Sequence, residues 1–519
     1  MKSSPAQRPN LIYVFADQLR CSSCGYAGDR AARTPNIDQL ASEGVSFRHA
    51  VSGHPVCAPY RASLFTGKHS SSTGMVINEL RLSPEQECFG HVLTRGGYAT
   101  GYIGKWHLWA NELGNHGADR NAFIPPGPYR LGFDGFWAAY NFHHHYYGAY
   151  YYADEPKKIP YGPAGTYEPD AQTEMAMRFI KQAAGRREPF ALFLSYGTPH
   201  DPWGADNVPR KHLDLFRQTR FALPPNFSTS PDAYGDAWAR LPKGFSQAML
   251  DAWKRGYYAM TANLDWNLGR LLEAVRKAGL AGQTILVFTS DHGEMFGAHG
   301  RRAKNIFYEE AVRVPFLVRW PKHIPAGSVS DACLNTVDIL PTLLGLMGLP
   351  IPKAAEGISL AHCALGKKGP EPAAALLQGM GTTAAWADGH EWRGLRDKRF
   401  TYAVYHRDRA ELLFDHQADP YQQKNLIKDP KYADQADRLR KMLTERLTEL
   451  GDEFHKCTWY RRRWTRDRNI LRGARGGRHD LDALQKIIDK HFPPTRPRGR
   501  SRGTGDPNAA AGTRPKARR

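Results

Sequence analysis

The amino-acid sequence predicts an α/β fold: a large, mainly parallel sheet sandwiched by helices, a smaller C-terminal α+β subdomain and a basic, largely disordered tail. Short β-rich apolar runs alternate with helical patterns through residues 1–369, as in successive βαβ units. In residues 370–460, strand patterns precede one amphipathic helix. Residues 461–519 hold 18 Lys or Arg against five Asp or Glu and few large apolar residues, a composition that favours disorder.

Five short apolar runs are the predicted strands of the large sheet. They cover residues 11–16, 99–103, 190–196, 284–290 and 315–319. Between the first two runs, Thr34 followed by Pro35 predicts the start of a helix, with a cap and a proline at the first helical position. Gly44 predicts the end of that helix.

Apolar residues at helical spacing predict two further helices. The first ends at Gly279 and carries on one face Leu264, Leu268, Leu271, Leu272 and Val275. In the C-terminal subdomain, residues 392–405 and 411–415 predict short antiparallel strands. The helix that follows these strands carries on one face Leu439, Leu443, Leu447 and Leu450.

The composition is that of an ordinary globular protein, with 41% apolar and 24% charged residues in a chain of 519. No apolar run reaches the roughly 18 residues of a membrane span, so we expect no membrane partner. No cleavage site follows residues 11–16, which predicts a cytoplasmic protein without a signal peptide, unless the true start lies upstream and permits export. Seven scattered cysteines, including the pair Cys21 and Cys24, favour structural roles over a disulfide framework.

Polar side chains follow four of the predicted strands, at the point where each strand ends. In chain order they are Asp17 and Gln18, Lys105 and His107, His200, and Asp291 and His292. Because ligands of an open α/β sheet bind beyond the carboxyl ends of its strands, we expect these side chains to form one site.

The residue types at these strand ends indicate a metal site beside an anion site. Asp17, Gln18 and Asp291 offer oxygen ligands for a hard cation such as Ca²⁺ or Mg²⁺, and His292 adds a nitrogen that widens the choice to Mn²⁺. A turn-capping role for Asp17 alone is an equally good interpretation. Nearby cationic candidates for stabilising a tetrahedral oxyanion are Arg61, Lys105, His107 and Lys304.

The segment Cys57-Ala58-Pro59-Tyr60-Arg61, followed by Leu64-Phe65-Thr66-Gly67, resembles the formylglycine motif of type I sulfatases, members of the alkaline-phosphatase-like superfamily. Further segments in the family's order support the resemblance, which covers roughly residues 8–450. They are Thr-Pro-Asn-Ile-Asp at 34–38, Gly-Tyr-Ile-Gly-Lys-Trp-His at 101–107, Ser-Asp-His-Gly-Glu at 290–294 and Asp-Pro at 419–420.

The resemblance implies two cofactors. Cys57 would be converted to 3-oxoalanine (formylglycine) by a formylglycine-generating or sulfatase-maturing enzyme. A divalent metal, usually calcium, would be held by Asp17, Gln18, Cys57, Asp291 and His292. Many relatives have Asp where Gln18 stands, so Mg²⁺ and Mn²⁺ stay open beside Ca²⁺. The metal and Arg61 would hold the hydrated aldehyde and favour its ionised form.

The resemblance also implies hydrolysis of a sulfate monoester on a small molecule or carbohydrate. One hydroxyl of the hydrated aldehyde at position 57 would attack sulfur while Lys105 and Lys304 bind the sulfate oxygens. His200, alone or together with Lys304, would protonate the departing alcohol. His107 would take the proton of the second hydroxyl, so that sulfate leaves and the aldehyde is restored.

Two further features are candidates for substrate contact. Asn78 follows Cys57 at a spacing at which some relatives have an active-site Asn, although a role in a turn is an equal alternative. The His- and Tyr-rich residues 140–152 favour an aromatic wall for a sugar or aryl ring, with ordinary packing as the alternative. Three adjacent His are poorly placed to share a metal, because neighbours along a strand point to opposite faces.

Two other functions compete with the sulfatase interpretation. A phosphonate monoester or phosphodiester hydrolase of the same superfamily would use a similar metal set, but the Lys105-x-His107 pair favours the sulfatase. A polyanion-binding protein could act through the basic tail, since much of the net charge of +20 lies there. The tail has no recognisable binding fold, so we expect nucleic acid to bind it only non-specifically.

Overall fold

The computed structural model describes residues 8–109, 116–466 and 490. The strands, in chain order, are β1 (Asn10–Ala16), β2 (Val45–Phe47), β3 (Ala99–Lys105), β4 (Phe136–Tyr140), β5 (Tyr150–Tyr151), β6 (Ile159–Pro160), β7 (Phe190–Ser195), β8 (Thr284–Ser290), β9 (Phe316–Arg319), β10 (Ser328–Ser330), β11 (Ala375–Gly379), β12 (Trp392–Arg396), β13 (Phe400–Tyr405) and β14 (Glu411–Asp415).

The helices, in chain order, are α1 (Pro35–Glu43), α2 (Cys57–Thr66), α3 (Ser70–Thr73), α4 (Phe89–Arg95), α5 (Asp119–Ala122), α6 (Glu168–Ala183), α7 (Arg210–Leu213), α8 (Gln247–Lys277), α9 (Glu309–Val312), α10 (Thr336–Met347), α11 (Ala361–Ala364), α12 (Ala433–Glu449) and α13 (Cys457–Arg466). None of the helices in the described part of the chain is long and apolar enough to cross a membrane.

The large sheet has eight strands in the order β10-β2-β9-β8-β1-β7-β3-β4. β8, β1, β7, β3 and β4 are parallel to one another, whereas β9 runs antiparallel to both β8 and β2. Because β1 lies between β7 and β8, the polar residues that follow these strands meet at one edge of the sheet.

Both faces of the large sheet are covered by helices. Tyr13 and Phe15 of β1 face a core that includes apolar residues of α2, α4 and α10. Ile12 and Val14 face the opposite core, which includes residues of α1, α6 and α8. Burial on both faces explains why β1 is continuously apolar rather than alternating.

The C-terminal part forms a second, antiparallel sheet of β11, β12, β13 and β14. Leu439 and Leu443 of α12 pack on one face of this sheet, together with Leu395 and Leu413. The opposite face packs against the part of the chain that forms the large sheet, where the ring of Phe307 contacts that of Trp392 with centroids 5.3 Å apart.

These observations confirm the predicted fold class, with differences in detail. The helix predicted to end near Gly279 begins much earlier, at Gln247, and the apolar strand β11 was not predicted. Thr34 is the N-cap residue of α1 and Pro35 its first residue, as predicted, but the Thr34 hydroxyl donates to the Asp38 carboxylate at 3.1 Å and does not accept an amide of the first turn. Residues 461–466 of the predicted tail, 461–519, belong to α13. The rest of the tail, apart from residue 490, lies outside the described residues; the predicted domain boundaries stay predictions.

Candidate active site

The residues that follow β1, β3, β7 and β8 converge as the sequence predicts. Asp17, Lys105 and Asp291 are fully buried at the shared edge of these parallel strands. The Lys105 ammonium lies 2.5 Å from the Asp17 carboxylate, and the backbone N–H of Gln18 donates to Asp291 at 3.0 Å. The loops after β1, β3 and β8 therefore contribute to one polar centre, and His200 after β7 joins it through Lys304, 2.9 Å away.

Helix α2 carries Cys57 into this centre as its first residue. The Cys57 sulfur lies 3.1 Å from Lys304 Nζ, 3.3 Å from His292 Nε2 and 3.6 Å from Asp17 Oδ1. The side chain is fully buried, and burial, followed by the charge of Asp17, raises the pKa of the Cys57 thiol to about 11. An unmodified Cys57 is therefore a poor nucleophile near neutral pH.

Asn78 supports the start of α2. Its side-chain oxygen accepts a hydrogen bond from the backbone N–H of Ala58 at 3.0 Å, and its backbone N–H donates to the Thr383 carbonyl at 2.8 Å. The structure thus gives Asn78 a local structural role directly beside Cys57, and its contact with the substrate stays a prediction.

Asp17, Cys57, Asp291 and His292 form a group with the donor chemistry of a metal site. One ligand atom from each lies within 4.8 Å of the others. The Nδ1 of His292 lies 3.0 Å from the Gly293 carbonyl, which makes Nδ1 the protonated nitrogen and leaves Nε2 free to bind a metal. The side-chain oxygen of Gln18 lies on the same side, 3.1 Å from Lys304 Nζ. These residues fit a divalent cation.

The two carboxylates of this group differ in their proton affinity. Burial opposes ionisation of Asp17, but the charges of Lys105 and other cations hold its pKa well below the usual value. Burial, followed by the charge of Asp17, raises the pKa of Asp291 to about 6. A cation bound between the two carboxylates would remove the repulsion that raises the pKa of Asp291.

Arg61 joins the carboxylates to the ends of β3 and β7. Its guanidinium lies 3.4 Å from both Asp17 and Asp291, and it donates to the Lys105 carbonyl at 2.7 Å and to the Ser195 hydroxyl at 2.8 Å. This fully buried side chain thus fixes the geometry of the metal group from the side of α2.

Lys304 and His200 form a hydrogen-bonded pair. Lys304 Nζ lies 2.9 Å from His200 Nε2, while His200 Nδ1 lies 2.9 Å from the Asp201 carbonyl and 3.1 Å from its carboxylate. Burial, followed by the Lys304 charge, lowers the pKa of His200 to about 4. In this arrangement the proton shared by the pair lies on Lys304, and the neutral imidazole accepts at Nε2.

His107 follows the end of β3 and packs against Phe142. Its ring is buried, and neither ring nitrogen has a hydrogen-bond partner among the described residues. Burial, followed by the charge of Lys105, lowers the pKa of His107 well below its usual value. A buried, neutral and unpartnered imidazole is able to accept a proton from a group bound beside it.

The His- and Tyr-rich segment places two rings against the predicted catalytic residues. Phe142 packs on His107 with centroids 4.6 Å apart, and Lys105 Nζ lies 4.7 Å from the centre of the Phe142 ring. His144 stacks on His200 with centroids 3.8 Å apart. The sequence predicts that this segment forms an aromatic wall for a sugar or aryl ring. It does not predict that His144 stacks on His200, because that stacking depends on a contact between two loops.

A further residue of the centre, Glu294, was missed as a site residue. Its carboxylate accepts the side-chain amide of Gln18 at 2.7 Å, which turns the Gln18 oxygen towards Lys304. It also accepts the backbone N–H groups of Phe296 and Ala303. Its place in the Asp-His-Gly-Glu segment was the signal that could have identified it.

A family model described as Sulfatase matches residues 9–349, which is more than half of the chain. The chain belongs to the sulfatase family. A second model, described as N-sulphoglucosamine sulphohydrolase, C-terminal, matches residues 297–450 of this sulfatase and so includes the whole antiparallel sheet.

Individual relatives support this family assignment. The chain is 37% identical over 463 residues to an ulvan-active sulfatase of Formosa agariphila, covering 88% of this chain and 84% of the relative. The structure of the YidJ protein of Bacteroides fragilis is similar with a TM-score of 0.75 at 28% identity, covering 89% and 99% of the two chains. A protein solved in complex with D-glucosamine-2-N,6-O-disulfate has a TM-score of 0.72 at 25% identity, covering 86% and 99%.

These similarities identify the chain as an enzyme that hydrolyses sulfate esters. The family in general depends on a divalent metal and on formylglycine, and the group of four possible ligands that includes Cys57 agrees with both requirements.

Proposed function

We propose that this sulfatase removes sulfate from a carbohydrate, using formylglycine made from Cys57 as the nucleophile and calcium as the metal. The relatives support the substrate class: one is named for its activity on ulvan, and another was solved with a disulfated glucosamine. The wall formed by Phe142 and His144 supports it as well, since aromatic rings suit the apolar faces of a sugar.

One observation carries the proposed chemistry: the side-chain atom of residue 57 lies beside both a metal-type donor group and a lysine. The Cys57 sulfur lies 3.1 Å from the Lys304 ammonium and belongs to the four-residue group of possible metal ligands. When present, the metal and the hydrated aldehyde of formylglycine would supply an ionised oxygen nucleophile at this position.

The protein's cations would bind and orient the sulfate group. Lys304 and Lys105 bring two buried ammonium groups to the centre. In a site with little water, such fixed charges stabilise the charge that develops on the sulfate oxygens. Arg61 would act on the sulfate only indirectly, because its guanidinium holds the carboxylates of Asp17 and Asp291 in place.

His200 and Lys304 would hold the proton that the leaving alcohol needs. The neutral His200 ring accepts a hydrogen bond from Lys304 at Nε2 and is oriented at Nδ1 by Asp201. The proton that the leaving oxygen needs therefore lies between these two side chains. The ring nitrogens of His107, which have no partner among the described residues, would accept a proton from the second hydroxyl of the hydrated aldehyde at residue 57. The two histidines thus have separate tasks.

Calcium is the metal that we favour. Asp17, Asp291 and Gln18 offer hard oxygen atoms, which suit Ca²⁺ in a site of irregular geometry. The nitrogen of His292 and the neutral amide at Gln18 make Mg²⁺ and Mn²⁺ the alternatives to be compared.

The test combines peptide mass with activity. The full chain is produced with and without a formylglycine-generating enzyme, and the mass of the peptide that contains Cys57 is measured. We expect the modified form alone to hydrolyse an aryl sulfate in the presence of calcium, and Cys57→Ala to be inactive under the same conditions. A protein whose Cys57 stays a thiol, while a control sulfatase is converted, would contradict the proposal.

Two comparisons refine the substrate. Glucosamine 6-sulfate and ulvan oligosaccharides should be desulfated with a higher kcat/KM than an aryl sulfate, because the relatives named above act on or bind carbohydrates of this kind. An aryl phosphonate monoester should be the poorer substrate. A preference for the phosphonate would favour the alternative hydrolase of the same superfamily.

A further inference from the structure

A cavity of about 740 Å³ lies next to the catalytic centre but is lined by other residues. Arg20, which lines it, donates to the backbone carbonyl of Glu294 at 3.4 Å. The Glu294 carboxylate in turn accepts the amide of Gln18. The predicted catalytic and metal-binding side chains do not line this cavity, so it is a separate compartment beside the metal group.

The cavity carries an excess of positive charge. Its basic lining residues are Arg20, Arg48, Arg220, Lys254, Arg313 and Arg396, and its acidic ones are Asp29, Glu309 and Glu310. Some of these charges are already paired. Arg396 binds Glu309 at 2.5 Å, and Arg48 binds Asp331 at 3.2 Å.

Four of the six basic residues have no carboxylate within 4 Å in the described part of the chain: the exposed Arg220, together with Arg20, Lys254 and Arg313. The Lys254 side chain belongs to a residue only 7% exposed, and its ammonium donates one hydrogen bond, to the Ala222 carbonyl at 3.3 Å. The buried Nε of Arg313 has no hydrogen-bond partner. The nearby Asp29 carboxylate accepts from Tyr258, and one oxygen of Glu310 accepts from Asn226, whereas Glu310 Oε2 is buried without a partner among the described residues.

Buried cations without counter-ions are costly, because desolvation is not repaid by pairing. Burial, followed by the charge of Arg20, lowers the pKa of Lys254 to about 7, as expected of an ammonium without an ion-pair partner. An anion placed between Lys254, Arg20 and Arg313 would supply the missing partner.

The remaining lining suits a sugar ring. Phe221 and Tyr258 line the interior, and Leu223 and Tyr421 are exposed large apolar residues on its lining, 39% and 43% exposed. Exposed apolar groups beside convergent polar ones are typical of a ligand site. The volume also falls within the range of roughly 300–1,000 Å³ found for small-molecule sites.

We propose that this cavity is a second carbohydrate site, which binds an acidic sugar unit through its sulfate or carboxylate group. Lys254 and Arg313 contact the anionic group, and Phe221 and Tyr258 contact the ring. This inference rests on the proposed carbohydrate function for the class of its ligand, but it concerns binding and not hydrolysis.

The test measures binding of glucuronate to the full chain by isothermal titration, with Cys57→Ala as the background so that catalysis plays no part. Glucose and inorganic sulfate are titrated in parallel. We expect glucuronate to bind at least ten times more tightly than either. Lys254→Met should weaken glucuronate binding at least ten-fold, and Lys254→Arg should largely retain it. Lys277→Met, on the exposed end of the same helix α8, should have no effect.

Each outcome decides the proposal. Equal binding of glucose, or equal binding in Lys254→Met, would overturn it. So would inorganic sulfate that binds as tightly as glucuronate and loses affinity equally in Lys254→Met. Should Lys254→Met fail to fold, Arg313→Gln provides the same comparison. The matured Lys254→Met enzyme should hydrolyse an aryl sulfate normally. Complete absence of sulfatase activity in the parent enzyme would refute the proposed function while leaving the glucuronate result to be judged separately.

Discussion

The imidazole ring of His144 lies flat against that of His200, with an interplanar angle of 6°. The loop that carries His144 is fixed by Asn207, which accepts the backbone N–H of Tyr146 at 2.7 Å and donates to the His144 carbonyl at 2.9 Å. The orientation of His200 therefore depends on a loop about 60 residues earlier in the chain, from Asn141 to Tyr147.

Replacing His144 should lower the turnover number more than it changes substrate affinity. We expect His144→Ala to lower kcat on an aryl sulfate by about 10- to 100-fold, because a misplaced proton donor costs rate on this scale. His144→Phe, which preserves a flat ring, should recover part of the loss. The exposed neighbour His145 provides the matched control, His145→Ala. An unchanged kcat in His144→Ala would show that the stack has no role in catalysis.

Lys304 should be indispensable because one ammonium contacts three partners: Cys57, Gln18 and His200. We expect Lys304→Met to lower kcat/KM by about 10²–10⁴-fold, the range for loss of a positioned charge or proton donor. Lys424→Met, an exposed lysine, should be neutral. If Lys304→Met retained parental kcat/KM, neither proposed role of Lys304 would hold.

Removal of the metal should destabilise the protein as well as inactivate it. Asp17 and Asp291 are buried close together, and a bound cation at 100 times its Kd would add about 2.7 kcal/mol to the free energy of unfolding. Thermal unfolding with a chelator and then with added Ca²⁺, Mg²⁺ or Mn²⁺ measures this effect. The shift in Tm should shrink strongly in Asp291→Asn, and an equal shift in that variant would argue against a metal at this group.

The ion pair between Arg393 and Asp452 should be a principal support of the C-terminal sheet. The pair is fully buried at 2.7 Å, and Gln378 also donates to Asp452. Asp452→Ala leaves a buried arginine without its partner, so we expect a loss of about 3–5 kcal/mol in the free energy of unfolding. Asp437→Ala, which removes an exposed partner of Arg440, should cost about 0–1 kcal/mol. Urea unfolding of both variants makes the comparison.

Acid should destabilise the fold partly through His54. Burial, followed by the charge of Arg393, lowers the pKa of His54 to about 3 in the folded state, whereas the unfolded side chain titrates near about 6.5. The unfolded state therefore binds more protons below pH ~6.5, and stability falls as the pH is lowered towards 3.

Between pH ~6.5 and ~4.5 this one residue should account for up to about 2.7 kcal/mol. His54→Gln keeps a polar partner for Ser70 but does not titrate. The dependence of its urea midpoint on pH should be shallower than in the parent protein over this interval. Identical slopes would mean that His54 is not protonated on unfolding.

Much of the fold and of the centre could be predicted because the signals are local. The double burial of β1 makes it continuously apolar, and the polar residues directly after the strands reveal which edge carries the site. By contrast, β11 is a short run, Ala-Leu-Leu-Gln-Gly, whose assignment depends on its partner β12. Its strand character is a tertiary property and leaves little trace in the sequence.

The contacts that could not be predicted are those between loops. His144 meets His200 only because Asn207 holds both segments together. Likewise, Arg20, Lys254 and Arg313 share one cavity although they lie far apart in the chain. No periodicity or motif encodes such meetings, so cavities of this kind become visible only in three dimensions.

The central position of β1 also determines how much of the chain must be synthesised before the large sheet can form. β1 needs both β7 and β8 as neighbours, so the middle of the sheet cannot close until the ribosome has released residue 290. Synthesis of residues 58–290 at about 5–20 residues per second takes tens of seconds, and Cys57 stays accessible during that time. After closure it has no exposed surface. If Cys57 is converted to formylglycine as proposed, the converting enzyme has free access to it only during this interval, and slower translation should yield a larger share of modified molecules.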